Sequence, residues 1–312
     1  MTLAAPEIID FHSHYVDPSW ELTNTSGLSG PRLAQWQRIN SLIVDERALL
    51  QEIEAGDLAG RVVNTPATFL AGPDGTVPHD SFRRINDQLA ALVARHPGKL
   101  HGLASVDAYD GERGAVELVR AVRQLGLRGV FVESAKGDLL IDAPQARPTL
   151  AAAAELGVPV FLHPVNPQPL TSQLAPLGRA GTLLARGTIN SAALAALVRS
   201  GVLRELPGLK VVVTALAIGG ILLLSGFGAE EDEDVAALLR RNVFVDTMGF
   251  DPAIIRAAVD VLGVDNVLAG SDWPIVNEGP VRQIFAAAIE RAGLGQAAAA
   301  QIGSLNLLRL IG

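Results

Sequence analysis

Short runs of apolar, β-branched residues alternate with longer Ala- and Leu-rich segments along this chain, and that alternation constrains the fold more than any other feature. Most of the runs are apolar throughout, which is typical of parallel strands covered on both faces. Eight strands, each followed by a helix, within 312 residues predict an α/β fold, a (β/α)8 barrel of the TIM type. The predicted strands are residues 8–12, 61–65, 100–106, 129–133, 158–163, 210–215, 243–246 and 267–271.

The organisation of the chain is uniform. No linker-like stretch or shift in composition divides it, so residues 1–312 are predicted to form a single domain. The longest segments without a regular pattern are 15–44, 69–79 and 164–188. Each follows the C-terminal end of a predicted strand, where barrel enzymes carry their active-site loops. We therefore expect these three segments to surround the mouth of the barrel.

Composition and charge exclude several classes of function. The chain has no cysteine, which excludes a disulfide scaffold, an iron–sulfur cluster and a thiol nucleophile. A formal net charge of -8 without a basic tail argues against nucleic acid and anionic membrane surfaces as partners. The apolar segment 211–224 is shorter than the roughly 20 residues that a membrane span needs, and no export signal is recognisable. We expect a cytoplasmic protein that binds a small molecule.

Residues capable of binding a metal stand at the C-terminal ends of three predicted strands. His12 and His14 alternate at the end of the first strand, so their side chains share one face. His163 ends the fifth strand and Asp272 follows the eighth. Singly, each has a structural interpretation, as a hydrogen-bonded core histidine or a helix-capping aspartate. Together, at one barrel mouth, they favour a site for a divalent metal.

Motifs along nearly the whole chain resemble the amidohydrolase superfamily, and within it the amidohydrolase-related branch. The resemblance rests on D-F-H-S-H, V-F-L-H-P and N-V-L-A-G-S-D-W-P, with N-T-P-A-T-F and G-L-R-G-V-F-V between them. That branch includes α-amino-β-carboxymuconate-ε-semialdehyde decarboxylase, other aromatic-acid decarboxylases and lactonases. The resemblance implies that His12, His14, His163 and Asp272 bind one divalent metal, usually zinc, with manganese as the alternative. It also implies a homodimer or higher homo-oligomer.

One position departs from the pattern of that branch. Its sixth strand usually ends in a histidine that activates or orients the metal-bound water, and Ala215 stands there in this chain. The neighbouring Thr214 cannot act as a base at neutral pH. Three interpretations stay open: Asp272 alone handles the proton, another carboxylate substitutes, or catalysis has been lost. Glu133 and Lys136 stand where two-metal relatives carry a bridging ligand, but the missing strand-six ligand favours a single metal.

Five further residues near the predicted mouth are candidate substrate contacts. Each also has a structural interpretation, because asparagine is common in turns, carboxylates cap loops and tryptophan packs against walls. Asp246 has two further interpretations: it could be the partner of a metal ligand or a carrier of protons. The five candidates are Asn64, Glu133, Asn166, Asp246 and Trp273.

Three functions fit these residues. We predict a hydrolase of a small polar or cyclic substrate, such as an amide or lactone, with metal-bound water as nucleophile and Asp272 as base. Non-oxidative decarboxylation of an aromatic or unsaturated carboxylic acid is the alternative. The full-length resemblance favours it, but Ala215 disfavours it because that reaction needs a separate proton donor. An inactive metal-binding homologue is the third interpretation, which the four retained ligand-type residues oppose.

Overall fold

Parallel strands follow one another around a barrel in the computed structural model, which describes residues 6–72, 76–227, 234–276 and 280–312. Each strand pairs with the next one along the chain, with β3 in two short pieces. The strands are β1 (Ile9–His14), β2 (Gly60–Asn64), β3 (Leu100–Gly102 and Ala104–Ser105), β4 (Val130–Glu133), β5 (Val160–His163), β6 (Val211–Val213), β7 (Val243–Asp246) and β8 (Val267–Leu268).

Backbone hydrogen bonds between β1 and the segment that follows β8 close the barrel. The N–H of Phe11 donates to the carbonyl of Ala269 at 2.8 Å, and the N–H of Trp273 donates to that of His12 at 3.2 Å. At the break in β3, the N–H of Leu103 donates to Val63 at 3.0 Å, so the ladder continues across the gap. The predicted (β/α)8 barrel is therefore confirmed. That residues 1–312 form a single domain stays a prediction.

Helices pack around the barrel, and several begin at aspartates that cap them. The side chains of Asp45, Asp234 and Asp251 each accept a hydrogen bond from backbone N–H groups of the first helical turn. The helices are α1 (Gly30–Ile43), α2 (Glu46–Ala55), α3 (His79–Arg95), α4 (Glu112–Arg123), α5 (Arg147–Leu156), α6 (Leu170–Leu174), α7 (Gly178–Arg199), α8 (Val202–Glu205), α9 (Ile218–Phe227), α10 (Val235–Asn242), α11 (Pro252–Leu262), α12 (Val281–Arg291), α13 (Gln296–Ala300) and α14 (Asn306–Ile311).

The interior of the barrel is filled by a layer of apolar side chains to which every strand contributes. The layer consists of Phe11, Val62, Leu103, Phe131, Phe161, Val212, Phe244 and Leu268. Because strand residues alternate between faces, the residues two positions further along β2, β4, β5 and β7 also point inward, at the mouth. These residues are Asn64, Glu133, His163 and Asp246. The packed apolar layer therefore lies directly below the polar side chains at the mouth of the barrel.

A β-bulge in β1 breaks that alternation. The register between β1 and β2 shifts between Asp10 and Ser13. As a result Phe11 and His12, although adjacent in sequence, both pack against the ring of Phe161, at centroid distances of 4.9 and 4.8 Å. Bulges commonly re-aim side chains next to functional sites. Here the bulge lets β1 supply both a core phenylalanine and two histidines to the interior.

Two segments predicted to be irregular contain helices. Segment 15–44 includes α1, and segment 164–188 includes α6 and the first half of α7. The prolines and glycines of the second segment interrupt its helical pattern in sequence. The stretch Leu170–Arg199, which spans α6 and α7, is long and apolar enough to cross a membrane by length and composition, and 44% of its apolar window is buried in the protein. Residues 73–75, in the predicted loop 69–79, lie outside the described residues.

Candidate metal centre and active site

The closed barrel brings three histidines and one aspartate together at its mouth. His12 and His14 come from β1, His163 ends β5, and Asp272 follows β8; all four are buried. The Nε2 atoms of His12 and His14 each lie 3.3 Å from Oδ1 of Asp272. One ring nitrogen from each histidine lies within 4.8 Å of the others. The structure thus assembles the four residues that the sequence singles out.

Four polar atoms of these residues are buried and make no hydrogen bond: His12 Nε2, His14 Nε2, His163 Nδ1 and Asp272 Oδ1. Leaving a buried polar atom unpaired costs free energy, and such atoms are rare in folded proteins. One cation bound between them would satisfy all four. Three nitrogen ligands and one carboxylate oxygen suit zinc, manganese, iron or cobalt. The residues present therefore fit a divalent metal.

The carboxylates around the cluster favour a positive charge between them. Burial lowers the pKa of His12, but the carboxylates of Asp246 and Asp272 outweigh burial and raise that pKa to about 9. Burial, with the nearby Arg186, holds the pKa of His163 well below its usual range, so this ring is neutral, as a metal ligand must be. Burial raises the pKa of Asp272, but His12 and His14 reverse the shift, so this carboxylate is ionised.

Two further side chains orient the histidines. Oδ2 of Asp246, fully buried, lies 3.0 Å from Nδ1 of His12. Oδ1 of Asn64 lies 2.7 Å from Nδ1 of His14, and the amide of Asn64 donates to the carbonyl of Ser13 at 3.1 Å. Partners of this kind set the tautomer and direction of a metal-binding imidazole. Asn64 and Asp246, which were predicted as candidate substrate contacts, thus contact the imidazoles of His14 and His12.

Replacing Asp246 with Asn is expected to weaken metal binding by about 10- to 100-fold, the usual effect of removing such an orienting carboxylate. The amide has no negative charge to hold the imidazole of His12. Competition with a chromogenic chelator measures the affinity. Asp260→Asn, at an exposed position of α11, is the matched control and should bind metal normally. Unchanged affinity in Asp246→Asn would show that the contact with His12 does not position a ligand.

The backbone around Asp272 has an unusual conformation. Asp272 adopts a positive φ of 59°, a region that non-glycine residues rarely occupy and that is often found at functional sites. Two residues earlier, a Cβ at Gly270 would lie 3.1 Å from the Cβ atoms of Asp246 and His12. Glycine therefore permits the chain after β8 to approach β1 and β7 closely. This approach places Asp272 beside the histidines.

A cavity of about 120 Å³ adjoins the cluster. Phe131 and Glu133 of β4 form the wall nearest the cluster, and the centroid of the Phe131 ring lies 4.8 Å from that of the His163 ring. The remaining wall is mostly apolar, with Val77, Phe82, Ala108, Tyr109 and Val165 and an ion pair between Lys136 and Asp107. A cavity of about 150 Å³ accommodates one benzene ring. The space is therefore of the size of a single six-membered ring.

Glu133 stands between the cavity and the cluster. Its Oε2 lies 3.8 Å from Nδ1 of His163, and Oγ1 of Thr68 donates to its Oε1 at 3.4 Å. Burial raises the pKa of Glu133 to about 7, although Arg186 opposes that shift. Of the predicted substrate contacts, Glu133 is therefore the one that lines the ring-sized space.

Two other predicted contacts lie elsewhere. Trp273 is buried, and its ring centroid lies 5.4 Å from the guanidinium carbon of Arg61. Asn166 is exposed in the loop after β5. Ala215, where the branch usually has a histidine, is buried in the turn after β6.

Sequence reasoning missed Arg186. It belongs to α7, within the segment 164–188 that was predicted to be a loop, and its Nη2 lies 3.3 Å from Nε2 of His163. The Ala- and Leu-rich pattern of residues 182–199 is the signal that could have predicted a helix through this arginine. Without that helix, nothing places residue 186 near the strand ends.

A closed (β/α)8 barrel that buries three histidines and an aspartate at the carboxyl ends of its strands defines the metal-dependent enzymes of the amidohydrolase superfamily. Residues 9–312 match the family model described as Amidohydrolase, and the chain belongs to this family. The family predicted from the sequence motifs is confirmed. The prediction that the chain is an enzyme is confirmed as well.

Two curated relatives and one solved structure show what the chain is similar to. It is 30% identical to gamma-resorcylate decarboxylase of Rhodococcus jostii, over 80% of this chain and 81% of the relative. It is 26% identical to 2-amino-3-carboxymuconate-6-semialdehyde decarboxylase of Dictyostelium discoideum, over 77% and 69%. The crystal structure of dihydroxybenzoic acid decarboxylase from Polaromonas sp., with manganese and the inhibitor 2-nitroresorcinol, superposes with a TM-score of 0.82, 23% identity and coverage of 98% and 97%.

The prediction of hydrolysis, with Asp272 as base, is wrong. These relatives are decarboxylases and support the alternative, a carboxy-lyase. Hydrolysis and decarboxylation can use the same three histidines and aspartate, so the ligand motifs do not separate the two reactions. The absence of the strand-six histidine received too much weight.

Proposed function

We propose that this chain is a metal-dependent, non-oxidative decarboxylase of an aromatic carboxylic acid. The observation that carries the proposal is the ring-sized, mostly apolar cavity whose wall residues Phe131 and Glu133 lie against His163, one of the residues with unsatisfied ligand atoms. An aromatic ring fits the cavity, while its carboxylate reaches the cluster. Relatives named for gamma-resorcylate and dihydroxybenzoic acid support this substrate class.

His12, His14, His163 and Asp272 are the proposed ligands of one divalent metal. A bound metal supplies Lewis-acid polarisation of substrate oxygens. Asp246 orients the imidazole of His12, and Asn64 orients that of His14. Manganese in the Polaromonas structure supports manganese here, whereas the three imidazoles suit zinc, the metal predicted from the resemblance. Elemental analysis of the purified protein distinguishes them.

Asp272 is the proposed carrier of the proton. In the reaction the bond between the ring and its carboxylate breaks, carbon dioxide leaves, and a proton takes its place on the ring carbon. The side chain of Asp272 is 10% exposed, whereas those of Asp246 and His12 are 0% and 1% exposed. Asp272 thus faces the mouth, where it can receive a proton from solvent and pass it to the ring.

Carbon dioxide release tests the proposal. The manganese-loaded protein is incubated with 2,6-dihydroxybenzoate, 5-carboxyvanillate and other hydroxybenzoates, and the aromatic product is identified by mass spectrometry. We expect one equivalent of carbon dioxide per product, and none from the His12→Ala/His14→Ala variant. No release from any acid at full metal loading would overturn the proposal.

Added metal is expected to stabilise the fold. A ligand that binds only the native state stabilises it by about 2.7 kcal/mol at a free concentration of 100 times its Kd. Manganese should therefore raise the melting temperature, and a chelator should reverse the rise. Differential scanning calorimetry measures both. His96→Asn, away from the cluster at the end of α3, should retain the full shift, whereas His163→Asn should lose most of it. Equal shifts in both variants would place the metal elsewhere.

A homo-oligomer stays a prediction, and we propose that α9 takes part in it. Its residues Leu223 and Phe227 are 63% and 86% exposed, which is unusual for large apolar side chains. Light scattering of the purified protein, with Leu223→Glu beside the wild type, determines the assembly. A monomeric wild type would contradict the prediction.

A further inference from the structure

We propose that Arg186 binds the carboxylate of the substrate and thereby selects acids over neutral rings of the same size. The inference rests on the proposed function, because it concerns the ligand of the same site. It arises from the contact between Arg186 and His163, in which both nitrogens are hydrogen-bond donors once His163 binds a metal.

The contact joins Nη2 of Arg186 to Nε2 of His163, at 3.3 Å. The other nitrogen of that ring, Nδ1, is buried, makes no hydrogen bond and is therefore the one left to bind a metal. A neutral imidazole that offers Nδ1 as a ligand carries its hydrogen on Nε2, so Nε2 is then a donor. A guanidinium has donors only. Two donors therefore face each other, and an oxygen with lone pairs placed against both would satisfy them.

The required acceptor is an anion. Burial lowers the pKa of Arg186, while the carboxylates of Asp272 and Glu133 oppose that shift, and an arginine stays protonated at neutral pH. Asp272 belongs to the metal cluster, and Glu133 accepts from Thr68. A carboxylate matches the planar guanidinium and forms charge-assisted hydrogen bonds with it. An aromatic acid in the ring-sized cavity brings such a group to the cluster.

The helical turn that carries Arg186 packs against the turn that follows β6. A Cβ at the next residue, Gly187, would lie 2.7 Å from the carbonyl oxygen of Leu216. One turn later, Oδ1 of Asn190 accepts hydrogen bonds from the backbone N–H and the hydroxyl of Thr214, at 3.2 and 3.0 Å. The helical turn that carries Arg186 thus packs on the turn that contains Ala215. Helix α7 therefore carries the positive charge of Arg186 beside the end of β6, the strand that lacks the usual histidine.

Arg186 therefore contributes charge and direction but no proton, because an arginine does not give up its proton at neutral pH. This separates its role from that of Asp272. It also predicts a specific pattern of binding: ligands with a carboxylate depend on Arg186, whereas neutral ligands of the same ring size do not.

Isothermal titration calorimetry on the manganese-loaded protein tests this pattern without turnover. The probes are benzoate and phenol, which have one ring and differ in charge. We expect Arg186→Gln to weaken benzoate binding by about 10- to 100-fold, as for loss of hydrogen bonds to a charged group, and phenol binding by less than about 3-fold. Arg186→Lys should be intermediate, because lysine keeps the charge without the forked geometry. Arg179→Gln, exposed on the same helix, is the matched control.

Each result decides the question. Equal loss of benzoate and phenol binding, or loss of neither, would overturn the inference. Loss of manganese from Arg186→Gln on elemental analysis would also overturn it, since Arg186 would then serve only to position His163. If benzoate binding depends on Arg186 but no acid is decarboxylated, the inference stands and the proposed reaction fails. If decarboxylation occurs and benzoate binding ignores Arg186, the reaction stands and the inference fails.

Discussion

Replacing Asp272 with Asn is expected to lower the rate of carbon dioxide release by about 10²- to 10⁴-fold, the usual contribution of a positioned acid–base group. The amide cannot carry the proton that must reach the ring carbon. It retains a carbonyl oxygen close to Nε2 of His12 and His14, where Oδ1 now lies at 3.3 Å. Metal binding should therefore survive in part while turnover is lost.

Steady-state kinetics on the best acid of the substrate panel measures this effect, with elemental analysis of the same preparation. The control is Asp260→Asn, which should keep wild-type kcat. Unchanged turnover by Asp272→Asn at equal metal content would remove Asp272 as the proton carrier. Glu133, the carboxylate of the cavity wall that lies beside His163, would then be the next candidate.

Replacing Arg61 with Met is expected to lower the free energy of unfolding by about 3–5 kcal/mol, because it leaves a buried carboxylate without its partner. Nη1 of Arg61 donates to Oδ2 of Asp10 at 2.5 Å and to the hydroxyl of Ser13 at 2.9 Å, and both charged side chains are fully buried. The other oxygen, Oδ1 of Asp10, accepts from the backbone N–H groups of His12 and Ser271. This ion pair therefore ties together β1, β2 and the segment after β8.

Urea unfolding followed by circular dichroism measures the loss. The double variant Asp10→Asn/Arg61→Met should recover part of it, since the amide keeps an acceptor for the two backbone N–H groups but carries no charge. Arg240→Met, at an exposed position on α10, is the control and should change stability little. A loss in Arg61→Met no larger than in Arg240→Met would show that the pair contributes nothing to closure of the barrel.

The strand ends were the most predictable part of the site. Short runs that are apolar throughout identify buried parallel strands, and a barrel brings all their carboxyl ends to one mouth. His12, His14, His163 and Asp272 could therefore be grouped from their places in the sequence alone. The roles of Asn64 and Asp246 could not, because the same strand-end position serves a substrate contact or a buried partner of a ligand. Which of these holds depends on the side chain opposite, and here that is a histidine of β1.

The sequence by itself determined the barrel, the family and the four residues of the candidate metal centre, because periodicity and motif spacing are local properties of the chain. Only the tertiary structure decided the bulge in β1, the ring-sized cavity beside Glu133 and the placement of Arg186. These features depend on contacts between residues far apart in sequence. Glu133 on β4 and Arg186 on α7 approach the same histidine only when the barrel closes and α7 packs over the end of β6. No local sequence pattern predicts that these two side chains approach the same histidine.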